Sequence, residues 1–209
     1  MTDFTHPPAT LDFDAATRAL VRLSARIAAG SELDVREGLA EAETAKTPAR
    51  WVEEVILQSY LFAGFPRALN AMREWRRMGE GFGAAGAGEG EGDYRAAGEA
   101  TCARVYGKFY ATLRHNIAEL HPELDDWMIN EGYGKVLSRP GLDLGRRELC
   151  IVASCVAAGQ DRQLHSHLHG ARNVGAPDGA IGDTLDALNG VADESHLRRA
   201  KALWVKVRK

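Results

Sequence analysis

Residues 146–175 read RRELCIVASCVAAGQDRQLHSHLHGARNVG, a charged doublet running into an apolar stretch and ending in three alternate histidines. Leu149, Val152, Val156 and Ala157 stand at offsets 0, 3, 7 and 8, one stripe of a helix. Gly159 stops that helix, and Gln163 to Val174 forms a second, closed by Gly175. Run antiparallel, the two helices bring the carboxylate of Glu148 toward the imidazoles of His165, His167 and His169 at a shared pocket. An acid and a base converging between helices is the equipment of general acid/base catalysis.

Working outward, the composition narrows the alternatives. A chain of 209 residues with 45% hydrophobic content builds one core, or two small repeats fused into one. A formal net charge of -3 offers no electrostatic reason to expect nucleic acid or an anionic membrane surface as partner. No run approaches the length of a membrane span, and the first eight residues are polar rather than signal-like. Cys102, Cys150 and Cys155 form no CxxC pair, which suits reduced thiols in a cytoplasmic protein.

Taken in order, Thr2 to Pro8 is expected as a loose tail. Helices are expected over Leu11–Ala29, Asp34–Ala45, Trp51–Ala63 and Pro66–Met78, with Pro48 and Gly64 as punctuation. Residues 79–98 carry glycine at 79, 81, 83, 86, 88, 90, 92 and 98. They include a formal GxGxxG, Gly81 to Gly86, with no strand before it, so the segment is expected as a linker rather than a dinucleotide turn. Further helices are expected at Glu99–Ala118, from His121-Pro122 onward, at Pro177–Leu188 and at Ser195–Val207. Gly132-Tyr133-Gly134 and Arg139-Pro140-Gly141 are expected as breaks. Strand signals are scarce, and the class is all-α.

An internal repeat accompanies this pattern. A shift of 129 residues sets Thr17-Arg18-Ala19-Leu20 on Arg146-Arg147-Glu148-Leu149, Ala28-Ala29-Gly30 on Ala157-Ala158-Gly159, and Pro48 on Pro177. The chemistry is not repeated: Ala19 stands at the place of Glu148, and Arg36, Gly38 and Ala40 at those of the three histidines. The expected organisation is therefore a degenerate first repeat (1–78), the Gly-rich linker (79–98) and a second repeat (99–209) holding the site, in one compact domain. Complementary loss suggests one site per chain, built across the two halves.

Several motifs in this order resemble the carboxymuconolactone decarboxylase family, within the superfamily that also holds the alkylhydroperoxidase-D-like peroxidases. They are His121-Pro122-Glu123-Leu124, Tyr133-Gly134, Ser138-Arg139-Pro140-Gly141-Leu142-Asp143 and Arg147-Glu148-Leu149, then His167 with Ala171 to Gly175. Tyr60 to Asn70 resembles the family's closing segment, displaced into the other repeat. The resemblance implies an all-α homo-oligomer. Single-repeat relatives form rings, so a two-repeat chain is expected to close a trimer-like one.

The resemblance also implies roles. His167 is expected as proton donor or shuttle and Glu148 as the group that orients it. Arg139 or Arg147 is expected to meet a substrate carboxylate. Tyr133 and the turn at Phe65 are expected to wall the pocket, with His165 as a further substrate-binding residue. The peroxidase branch places a CxxC between its glutamate and histidine; here those positions are Gln160 and Gln163, which support no thiol chemistry. His165 and His169 have i, i+4 spacing but no third ligand, so no metal and no cofactor is assigned. The expected activity is decarboxylation of a small carboxylated lactone. A non-catalytic oligomeric relative, and an acid/base isomerase or hydrolase on a lactone or keto acid, stand as alternatives.

Overall fold

The computed structural model describes residues 11–79 and 92–209; the tail and GxGxxG segment singled out above lie outside them. The described residues are helical, with no strand among them. Four helices come first: α1 (Ala15–Ala29), α2 (Glu32–Thr44), α3 (Ala49–Ala63) and α4 (Phe65–Arg77). After 92 the chain forms α5 (Tyr94–Tyr106), a 3-10 turn (Gly107–Phe109), α6 (Tyr110–Leu120) and α7 (Pro122–Trp127). A π-helical segment (Met128–Leu137) follows, then α8 (Leu144–Ala157), α9 (Asp161–Asn173), α10 (Asp178–Ala187) and α11 (Glu194–Val207).

Local chemistry explains most boundaries. Asp14 caps α1 by accepting from the amide of Thr17, so the helix starts at Ala15 rather than at Leu11. Ser31 and Asp34 form a reciprocal capping box that starts α2 earlier than its apolar pattern suggests. Asp143 and Asp193 cap α8 and α11 in the same manner. The starts of α1 to α4 and of α8 to α11 differ pairwise by the 129 residues found in the sequence.

The core is organised on α8, whose residues from Arg147 to Ala157 are all buried. Helix α1 lies along it. The Ser24 hydroxyl donates to the Cys150 carbonyl at 2.8 Å and meets the Ser154 hydroxyl at 2.9 Å. Beside them, the Arg146 guanidinium donates to Thr17 and stacks over the Trp51 ring, 4.5 Å from its centroid. Small side chains let these two helices approach closely, which fixes their register.

Three expectations change here. The helix placed from Glu99 begins at Tyr94, capped by Asp93, so the end of the supposed linker is helix. Gly98 is a packing residue: a Cβ there would collide with the backbone carbonyl of Ile129 in the π-helical segment. Gly134 faces the reverse way, its missing Cβ leaving room for the Tyr94 carbonyl. These two glycines allow α5 and the π-helical segment to cross backbone to backbone, so Gly132-Tyr133-Gly134 continues a helix instead of breaking it. The third change is a break at Gly107 (φ +52) within the helix expected over Glu99–Ala118. No described helix is long and apolar enough to cross a membrane.

Candidate functional site

Helices α8 and α9 are joined by a short turn at Gly159, whose φ of +66 suits glycine and whose missing Cβ accommodates the His196 ring. The turn folds α9 back so that Glu148 and His167 meet inside. Glu148 Oε2 lies 2.8 Å from His167 Nδ1, with the carboxylate wholly buried and the imidazole nearly so. Gly170, one turn beyond His167, makes the approach possible: a Cβ there would sit 2.7 Å from Glu148 Oε2 and 2.7 Å from Val105 Cγ1. With Nδ1 engaged by the carboxylate, Nε2 is the nitrogen left for a substrate. A carboxylate accepting from Nδ1–H holds the ring in that tautomer and fixes its orientation. The second oxygen, Glu148 Oε1, is buried without a hydrogen-bond partner among the described residues.

His167 borders a cleft of about 650 Å3. Its walls are mainly aromatic: Tyr60 and Phe62 from the end of α3, Tyr106 from α5, Trp127 from α7 and Tyr133 from the π-helical segment. Phe62 packs edge-on to the imidazole, centroids 5.5 Å apart, and Tyr106 and Tyr133 pack edge to face at 6.1 Å. Burial, followed by the nearby Tyr106 and Glu148, holds the Tyr133 phenol well above its ordinary pKa. Burial likewise pushes Tyr106 up to about 12. Both hydroxyls remain protonated donors at neutral pH. Glu131 is the cleft's other ionisable group, half-exposed and 3.4 Å from Lys135.

The structure thus brings Glu148, His167 and Tyr133 together and adds α3, from the first half of the chain, to their cleft. It places the remaining expected residues elsewhere. Arg147 is wholly buried and spends its donors on the Glu54 carboxylate (2.9 Å), Gln58 (3.2 Å) and the carbonyls of Leu142 and Arg139. Arg139 forks onto the same Glu54 at 3.0–3.3 Å, and Arg50 reaches it at 3.1 Å. Neither Arg139 nor Arg147 borders the cleft, because a buried carboxylate far off in sequence has claimed both. Phe65 is 63% exposed, does not line the cleft, and packs on Tyr60 of its wall with ring centroids 5.9 Å apart. His165 lies beyond Tyr106, against His169 (centroids 4.9 Å), on a separate cavity of about 310 Å3. Among the described residues, no group of three or more His, Cys, Asp and Glu side chains converges as metal ligands. Gln160 and Gln163 are exposed at the start of α9.

Sequence reasoning passed over Gly170, Tyr106, Trp127 and Glu131. For Gly170 a signal existed, an isolated glycine within a helical pattern, which marks a close approach. The other three carry no local signal, because only the crossing of α5, α7 and the π-helical segment turns them to the cleft.

Comparison with known proteins agrees with the helix pattern. Residues 122–205, from α7 into α11, match the model of the carboxymuconolactone decarboxylase family. No curated protein matches the chain. The matched stretch includes both Glu148 and His167.

Proposed function

We propose that this carboxymuconolactone decarboxylase family member is a cofactor-independent acid/base enzyme that moves a proton on a small unsaturated lactone. The observation that carries the proposal is the buried Glu148–His167 pair, whose free imidazole nitrogen borders an aromatic cleft. His167 Nε2 takes a proton from a ring carbon next to the lactone carbonyl, and the Glu148 carboxylate stabilises the imidazolium that forms. The resulting enolate oxygen is matched by the Tyr106–Tyr133 pair, whose mutual hydrogen bond leaves one phenol proton to donate. Return of the proton to a different carbon completes an isomerisation. In a decarboxylation no ring proton is taken: a His167 that starts as imidazolium protonates the carbanion left by departing carbon dioxide and is then reprotonated from water. Both cycles use one imidazole and one proton. The 129-residue recurrence of helix starts supports two fused repeats, with the second supplying the dyad and the first supplying Tyr60 and Phe62.

The test is turnover of unsaturated lactones, including 4-carboxymuconolactone, followed by ultraviolet absorbance and by deuterium uptake from heavy water. His167→Ala is expected to lower turnover by about 10²–10⁴-fold, the usual contribution of a positioned general base. Glu148→Gln is expected to lower it as well, by loosening the ring's orientation. Turnover unchanged in a folded His167→Ala protein would refute the proposal.

A further inference from the structure

Among the described residues, the walls of the cleft beside His167 carry no permanently cationic side chain. Among the described residues that line it there is no lysine or arginine, and its ionisable groups are His167 and Glu131 with the tyrosine phenols. Residues 1–10 and 80–91 contain no lysine or arginine either. Arg104, exposed on α5 two residues before Tyr106, does not line the cleft, and four further arginines are committed to carboxylates elsewhere. Arg139 and Arg147 hold Glu54, Arg114 holds Asp125 at 2.5 and 2.8 Å, and Arg95 holds Asp126 at 2.8 Å. Lys135 does not line the cleft and pairs with Glu131, which does, so the two together offer an anion no net attraction. Within the cleft, Glu148 and His167 also sum to zero or to a negative charge in any state where the carboxylate is ionised.

A carboxylate entering such a space exchanges its hydration for aromatic walls and gains no opposite charge. Desolvation of an unpaired carboxylate costs several kcal/mol. The faces of Tyr60, Trp127 and Tyr133 carry negative quadrupole density, which opposes an anion and accepts a flat neutral ring. Resting on the proton-transfer proposal for the same site, we propose that the substrate is an uncharged, planar unsaturated lactone or ketone. The expectation of a carboxylated substrate is replaced, and with it decarboxylation yields to isomerisation: without a substrate carboxylate no carbon dioxide can leave.

Binding separates this inference from the catalytic one. The probes are the butenolide acetate (2,5-dihydro-5-oxofuran-2-acetate) and its methyl ester, nearly equal in size and different in charge. Both are titrated calorimetrically into the full chain and into His167→Ala. The ester is expected to bind at least about tenfold more tightly than the acid, ~1.4 kcal/mol, in both proteins. Leu124→Lys, on the half-exposed rim of the cleft, is expected to shift the preference toward the acid. An acid that binds as tightly as the ester overturns the inference, and so does silence from both ligands. Ester bound but no lactone turned over leaves the inference standing and removes the proton-transfer role. Turnover confined to carboxylated lactones does the reverse.

Discussion

Exchanging Glu54 for glutamine changes almost no volume, yet among the described residues it removes the one carboxylate that Arg147 meets. Arg147 has no solvent exposure, and of its hydrogen-bond partners Gln58 and the carbonyls of Leu142 and Arg139 are neutral. Arg139 and Arg50, 22% and 40% exposed at the side chain, can turn toward water when the carboxylate goes; Arg147 cannot. Removing one partner of a buried ion pair costs about 3–5 kcal/mol, because the remaining charge is left uncompensated. Against a total stability of about 5–15 kcal/mol, that is a large fraction. Urea titrations at pH 7, monitored by circular dichroism, are expected to show a Glu54→Gln midpoint lowered accordingly. Breaking the exposed Arg199–Asp161 pair should cost under about 1 kcal/mol. The pH dependence adds a second readout. Burial raises the Glu54 carboxyl, but its hydrogen bonds and charge contacts with Arg139 and Arg147 outweigh that and hold it below the ordinary 4.5. A depressed folded value means that stability is present above about pH 4.5 and is lost as pH falls through the folded pKa. The wild type should therefore lose stability on acidification more steeply than Glu54→Gln. A midpoint shift worth less than about 1 kcal/mol, with parallel pH profiles, would refute the view that this carboxylate neutralises a buried guanidinium.

Other consequences concern the crossing, the dyad and the thiols. Gly134→Ala drives a methyl into the Tyr94 carbonyl and is expected to cost about 3 kcal/mol or more in thermal or urea melts. Gly179→Ala in α10, whose Cβ meets nothing within 4 Å, should be neutral or stabilising. Gly170→Ala should destabilise by about 1–3 kcal/mol and lower kcat of the folded protein, since the added methyl presses on Glu148 Oε2. Cys102 and Cys155, both pushed up to about 12 by burial, and Cys150, pushed higher still, should resist Ellman's reagent until the protein is unfolded. Rapid labelling of the native protein would count against their placement in the core.

Much of the helical scaffold was legible in the chain because its determinants are local. Apolar spacing, Gly159 and the 129-residue offset act over one or two turns or recur in register, whereas the Asp14 and Ser31 caps shifted the first two helix starts. Glu148 and His167 were legible for the same reason, since one short turn between two helices of set length leaves little choice of which residues face each other. The fate of Arg139 and Arg147 was not legible. Their partner Glu54 lies 85 and 93 residues away, and only the packing of α3 against α8 makes it nearer than any ligand. Nor could the sequence tell that Gly98 and Gly134 mark a crossing rather than looseness, because a glycine reads alike in a linker and at a backbone contact. The charge of the cleft was decided by tertiary structure alone: it depends on which residues are turned away from His167, and long-range pairing settles that.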